Sequence, residues 1–277
     1  QEENIDLSNI VGTGPHGRIT KKDVLHLTKG SRETETISTP SIPEPRKLDK
    51  GTLSDQKDRI VPVSNMRSII AKRLLLSKST IPHFYLQKEI NALPLKNART
   101  AINSKLAHIN KENIIKISIN DLILKACAET IRLVPDINSS WEEDKIRYHG
   151  SIHLAFGVAV DDGLVTPVVR NADQLSLYQL SIEAKALISK ARTKKLMPDE
   201  MSGSTFTVTN LGMFGIDFFS GIINPPNAAI LSIRASVKKA VVDSTGNIQA
   251  GETMTLGLSC DHRLVDGAIG ANFLKSL

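Results

Sequence analysis

Residues 254–268, MTLGLSCDHRLVDGA, decide how this chain is read. Met254, Leu256, Leu258 and Cys260 alternate with other residues, the period of a strand with one buried face. The alternation stops at Asp261, and an apolar helical segment begins after Gly267. The stretch therefore predicts a strand, a turn and a helix, with His262 in the turn. A strand end is a rigid place from which to present a base. A free imidazole titrates near ~6.5, so at neutral pH it is largely able to accept a proton. A thiol, with a free pKa of about 8.5, is a suitable donor, and general-base help of this kind is worth ~10²–10⁴-fold. On chemistry alone a second reading weighs as much: His262 and Asp266 merely tie the turn together. Cys260 offers a rival Cys/His nucleophile pair, but the turn intervenes, and its alternation with Leu256 and Leu258 gives Cys260 a buried apolar role.

Working outward, the strand and helix periods alternate. Ile152, Leu154, Phe156, Val158 and Val160 predict one alternating strand, Phe206 and Val208 another, and 228–233 (AAILSI) a short buried one. Met66, Ile69, Ile70 and Leu74 mark an amphipathic helix, and Leu95, Ala98, Ile102, Leu106 and Ile109 a second. Residues 120–133 form a third, and Ser176-x-x-Gln179 is a capping box opening a fourth through Leu187, Ile188 and Ala191. The expected class is α+β, with helices packed on a mixed sheet.

The chain has 277 residues, a length that as a prior suggests about two domains. Composition divides it into 1–28, 29–59 and 60–277. Residues 29–59 are Ser/Thr/Pro and charge, with only Ile37, Ile42, Leu48 and Leu53 as large aliphatics, too few to offset the entropy of ordering. Pro40, Pro43 and Pro45 favour an extended tether. No run of ~18 apolar residues predicts a membrane span. Residues 1–59 hold ten basic and ten acidic side chains, so the net charge of +6 lies wholly in 60–277. A pI of 9.2 invites a nucleic-acid reading. Aromatics at 4% leave few stacking platforms, and no nucleic-acid module is present, so no nucleic-acid partner is expected. Cys127 and Cys260 stand too far apart for a zinc pattern, and no His-Glu-x-x-His occurs, so no metal is expected.

Gly12-Thr13-Gly14-Pro15-His16-Gly17 matches a dinucleotide fingerprint, but only a short Ile-Val precedes it and a tether follows it. The better reading is a tight loop before a short helix, Val24 to Leu27, capped through Thr20-x-x-Asp23. A second constellation lies at 203–212, GSTFTVTNLG: a strand with hydroxyls on one face breaks into a Gly-rich turn, by β propensity alone or to donate to an oxyanion. Of seven histidines, His83 in Ile81-Pro82-His83-Phe84 is hard to dismiss yet has no obvious partner in sequence.

Residues 5–24 (IDLSNIVGTGPHGRITKKDV) are similar to the second half of the peripheral subunit-binding domain of 2-oxo acid dehydrogenase complexes. VPVSNMRSIIAKRL, SKSTIPHFYL, ISINDLILKA, VDDGLVTPVVRNAD, TFTVTNLGMFG, INPP and CDHRLVDGA together resemble the catalytic domain of dihydrolipoamide acyltransferases, over roughly residues 60–277. The resemblance implies a chloramphenicol-acetyltransferase-like catalytic domain behind a small helical docking domain and a disordered tether. It implies that His262 takes the thiol proton from coenzyme A, or from dihydrolipoyl groups in reverse, and that Thr209 stabilises the oxyanion. Asp266 would hold the site's geometry. The transfer would be direct, with no acyl-enzyme. The coenzyme A contacts carry over to Arg99, Ser118, Asp161, Thr209 and Asn210.

The partners implied are a homotrimer, building a hollow cubic or dodecahedral core of twenty-four or sixty subunits. Dihydrolipoamide dehydrogenase and/or the 2-oxo acid decarboxylase component would dock through residues 1–28, with Arg18 offering a cation. The lipoyl group is expected on a domain upstream, because a chain opening at Gln1 reads as a piece of a longer protein. Leu211-Gly212-Met213-Phe214-Gly215 with Ile223-Asn224-Pro225-Pro226 looks most like the acetyl-transferring members, those of pyruvate dehydrogenase complexes. One methylene discriminates by only ~1–3 kcal/mol. The alternatives are a succinyl or branched-chain acyltransferase of the same family, or a non-catalytic docking subunit. The resemblance places the chain in a bacterial cytoplasm or a mitochondrial matrix.

Overall fold

The computed structural model describes residues 58–109, 115–160 and 163–277, together with Pro15, Arg18, Ile19 and Lys21. The chain divides into two units, Gln1–Ile60 and Val61–Leu277. In the first, Arg18 is exposed. The expected helix Val24 to Leu27, nearly all of the Gly12–Gly17 loop and the tether before residue 58 lie outside the described residues, and so does Asp161.

In the second unit the alternation of 254–260 belongs to a longer strand, β10 (Ile248–Asp261), antiparallel to β1 (His83–Asn91) on one side and to β9 (Ala229–Val242) on the other. Next come β8 (Phe206–Asn210), parallel to β9, then β4 (Leu154–Phe156), parallel to β8, and β7 (Val168–Val169), antiparallel at the edge. The result is a six-stranded mixed sheet in the order β1-β10-β9-β8-β4-β7. Two small antiparallel pairs accompany it: β2 (Ser139–Glu142) with β3 (Lys145–Tyr148), and β5 (Val158–Val160) with β6 (Gly163–Val165).

The helices are α1 (Asn65–Thr80), α2 (Leu93–Ile109), α3 (Ile119–Leu133), α4 (Leu177–Arg192) and α5 (Gly267–Ser276). Leu124 and Ile131 of α3, Leu180 and Ala184 of α4 and Phe273 of α5 form one core with Leu154, Phe206, Leu231, Leu256 and Leu258 of the sheet. Phe206 and Phe273 meet with ring centroids 5.3 Å apart. Each such side chain contributes about 1.5–3 kcal/mol by leaving water, so the sheet and its helices are held as one layer pair. The α+β class with a mixed sheet is as expected.

Two expectations change. Residues 152–160 are not one strand: the chain bends at Gly157, sending Leu154–Phe156 into the large sheet and Val158–Val160 into the small pair. Leu154, Ala155 and Phe156 are all buried, because an interior strand covered on both faces has no solvent side. The helix expected around Met66 to Leu74 forms as α1, but Ile69 and Leu74 of its apolar set are exposed, as are Leu75 and Leu76.

Residues 211–227 form a strap from the end of β8 back to the start of β9, pinned to the sheet along its length. Ala235 N–H donates to Ile216 O (3.0 Å), the Arg234 guanidinium to Phe219 O (3.3 Å) and Gly221 N–H to Ser232 Oγ (2.9 Å). A Cβ at Gly221 would come within 2.9 Å of Ile230 Cδ1 and 3.2 Å of Ser232 Oγ, so those side chains would have to shift.

Candidate active site

β10 ends on a buried carboxylate, Asp261, which is 2% exposed. A buried charge needs a partner, and Asp261 holds Arg263 in a fork, with Nη2···Oδ2 at 2.7 Å and Nε···Oδ1 at 3.0 Å. The Asp261 carboxylate pushes the Arg263 guanidinium above its ordinary value. The same oxygen, Oδ1, accepts the Arg263 backbone N–H at 3.0 Å, and the Asp261 carbonyl accepts from Leu264 and Val265. Arg263 in turn lies over Trp141, 4.7 Å from the ring centroid, a cation–π contact.

His262 sits between these two locked residues. Its backbone N–H donates to Pro82 O (3.0 Å), and its ring packs against Phe84 with centroids 4.4 Å apart. The residue is exposed. Asp266 is the N-cap of α5, its Oδ1 accepting Ile269 N–H at 2.8 Å. It ties the turn, and the imidazole of His262 has no hydrogen-bond partner among the described residues. The backbone is thus fixed on both sides of an exposed ring.

Thr209 and Asn210 end β8, with Thr209 beside Ser232 of β9. Asn210 Oδ1 accepts Gly212 N–H (2.9 Å), and its Nδ2 donates to Asn120 Oδ1 in the first turn of α3 (3.4 Å). Ser118 is the N-cap of that helix and forms a capping box with Asp121. The Asp121 carboxylate also accepts from Ser181 Oγ (2.8 Å) and Lys185 Nζ (3.4 Å). Arg99 Nε donates to Ile117 O at 3.3 Å. Arg99, Ser118 and Asn210 are therefore gathered at the N-terminus of α3, where the helix dipole favours an anion.

The two clusters lie at opposite ends of the sheet. Thr209 is level with Ser232, and Ser232 with Gly257. His262 lies two strands across and five residues further along, which at ~3.3 Å per residue and ~4.8 Å per strand puts the two about 19 Å apart. No reacting atom can touch both residues of one chain.

Other reactive groups among the described residues have structural settings. Burial, with the Asp261 charge adding to it, pushes the Cys260 thiol up to about 12, the opposite of what a nucleophile needs. Burial likewise raises Cys127. His153 Nδ1 accepts Asn171 N–H at 3.1 Å, and His149 Nε2 lies 3.1 Å from Ser140 Oγ. Among the described residues no cluster of three or more His, Cys, Asp or Glu forms a metal site, and no helix is long and apolar enough to cross a membrane. Asp261, Arg263 and Trp141 are the residues sequence reasoning missed. The first two stand inside the motif, but the stacked tryptophan is a matter of tertiary contact alone.

The fold thus presents a hydroxyl at a strand end and a backbone-fixed, exposed imidazole in a turn, on one mixed sheet with covering helices. The chain belongs to the 2-oxoacid dehydrogenases acyltransferase family, whose catalytic domain matches residues 55–277; residues 1–25 match the e3 binding domain. It is 43% identical over 273 residues to the dihydrolipoyllysine-residue acetyltransferase component of pyruvate dehydrogenase complex from Rickettsia felis, covering 99% of this chain and 62% of that protein. The mitochondrial counterpart from Schizosaccharomyces pombe is 39% identical over 282 residues, covering 100% of this chain and 57% of the relative. The chain thus spans less than two thirds of these relatives' length. A crystal structure of a probable dihydrolipoamide acetyltransferase from Listeria monocytogenes 4b F2365 superposes with a TM-score of 0.74 at 35% identity, covering 79% of this chain and 92% of that one.

Proposed function

We propose that the chain transfers an acetyl group between a dihydrolipoyl thioester and coenzyme A, as the core acyltransferase of a pyruvate dehydrogenase complex. The observation that carries this reading is the exposed imidazole of His262, held by its backbone to Pro82 at the end of a buried strand. His262 accepts the proton of the attacking thiol, and the sulfur adds to the thioester carbonyl carbon. The Thr209 hydroxyl donates to the carbonyl oxygen as it gains charge. The tetrahedral adduct expels the other sulfur, which takes the proton back from the imidazolium, so no acyl-enzyme forms. Arg99, Ser118 and Asn210 at the head of α3, with Asp161, receive the coenzyme.

The separation of Thr209 from His262 supports a site completed by a second copy, with His262 of one and Thr209 of the next. A cyclic head-to-tail assembly such as a homotrimer supplies that arrangement. Trimers then build the larger core, the lipoyl group arrives on a domain upstream, and a dehydrogenase partner docks through residues 1–28. Relatives in both bacteria and mitochondria leave both compartments as homes for this reaction.

The test is acylation of coenzyme A by the purified chain, using acetyl, succinyl and isobutyryl dihydrolipoamide beside His262→Ala. Acetyl should be preferred, and the variant should fold normally but lose ~10²–10⁴-fold in turnover, the worth of a general base. Near-wild-type turnover in His262→Ala would remove the base assignment. A folded trimer without activity would favour a non-catalytic docking subunit.

A further inference from the structure

We propose that His83 is a positioning residue for the His262 base; the inference rests on the acyl-transfer reading of His262. The residues on either side of His83 both touch the base. Pro82 O accepts the His262 backbone N–H at 3.0 Å, and the Phe84 ring packs on the imidazole at 4.4 Å. Alternate residues of an extended chain point to opposite sides, so His83 faces away from His262 and makes its contacts elsewhere. Both its ring nitrogens are engaged by backbone groups. Nε2 accepts the N–H of Ile223 at 3.1 Å, which leaves the ring proton on Nδ1, where it donates to Ile81 O at 2.8 Å.

Ile223 is itself immobilised. It is 0% exposed, and its carbonyl accepts from the buried Ser77 Oγ at 2.6 Å. The imidazole of His83 therefore joins three segments: the corner 81–84 that grips the base, the strap that begins next to Thr209, and helix α1 through Ser77. Only the neutral Nδ1–H form satisfies both bonds. Without the direct link to Ile223, the corner keeps an indirect tie, Ile81 N–H donating to Ser77 O (3.1 Å), and the grip of Pro82 and Phe84 on His262 loosens.

Glutamine and asparagine separate the two nitrogens. Gln places an amide oxygen where Nε2 sits and keeps an acceptor for Ile223; Asn reaches only the Nδ1 position. In the 277-residue chain, His83→Gln should keep kcat within about 3-fold, while His83→Asn loses about 10-fold or more with KM for coenzyme A unchanged, the signature of a misplaced catalytic group. If both variants keep kcat, if both lose it alike, or if KM rises while kcat holds, His83 is not a positioning residue. Should the wild-type chain transfer no acyl group, the reading of His262 fails, and hydrogen–deuterium exchange decides the matter of His83. Faster exchange at both 219–224 and 261–265 in His83→Asn than in His83→Gln upholds the link to the base; no change at 261–265 overturns it.

Discussion

Thr209 donates a single hydroxyl, and that defines what its substitution does. Thr209→Ala removes the donor while leaving β8 intact, so kcat should fall by about 10²–10³, the usual worth of one oxyanion donor. Thr209→Ser keeps the hydroxyl and should retain most of the rate; if Ala and Ser behave alike in steady-state kinetics, the hydroxyl is not the active part. At this scale the sequence was legible where a residue's neighbours in the chain are also its neighbours in space. His262 and Asp266 stand in one turn, as the alternation and the helix start after Gly267 predict. In the structure Asp266 caps α5 and makes no hydrogen bond to His262, so the tie between them does not form, and the role of His262 as base rests on the proposal above. Asp261 was not legible, because its importance comes from burial of a charge, and burial belongs to the fold. His83 was noticed without a partner because its partner, Ile223, lies 140 residues away.

Among the elements, α3 has the most to lose at its start. Ser118 closes a capping box with Asp121, and Ile117 beside it is bracketed by Asn103. Ser118→Ala should cost about 1 kcal/mol in urea unfolding, the ordinary worth of an N-cap. Because Ser118 Oγ accepts from Asp121 N–H, its own proton remains available to a ligand. The same variant should therefore raise KM for coenzyme A without lowering kcat; an unchanged KM would confine Ser118 to capping. Helices were legible from their periods and caps, as Ser176 with Gln179 illustrates. The break at Gly157 was not, because apolar alternation continues through it while the hydrogen-bonding partners change. What marks the break is that Gly157 N–H donates to Val208 O, beside Thr209, before the chain turns into the small pair.

Across the whole molecule, the proposed roles of Thr209 and His262, set against the distance between them, make activity a property of pairs of chains. His262→Ala and Thr209→Ala are each expected to keep about a hundredth of the activity or less alone. Refolded or expressed together at equal amounts, they should recover about one site in four, the fraction in which an intact imidazole meets an intact hydroxyl in a cyclic assembly. No recovery in a coenzyme A acylation assay would place both residues in one chain's site and contradict the sheet register. Stability against acid is a second property at this scale. Burial, followed by the charge of Arg147 for His149 and of Arg170 for His153, holds both imidazoles below their ordinary value. The unfolded chain then binds protons that the folded one refuses, so stability is full above ~6.5 and falls as pH drops toward the folded values. Melting temperature should decline over that window. His153→Asn, which keeps an acceptor for Asn171, should flatten the decline; an unchanged slope would clear His153 of any part in it.

The cation stacked beside His262 has an optical consequence. The chain contains one tryptophan, and it is the ring that lies under Arg263. All indole emission therefore originates next door to the turn that carries His262. Any event that swings Arg263 off that ring, whether a thiol entering beside His262 or a neighbour closing over the β2–β3 hairpin, changes the polarity and quenching felt by a single fluorophore. The protein carries its own unlabelled probe of motion in the turn 261–266, readable in real time by stopped flow.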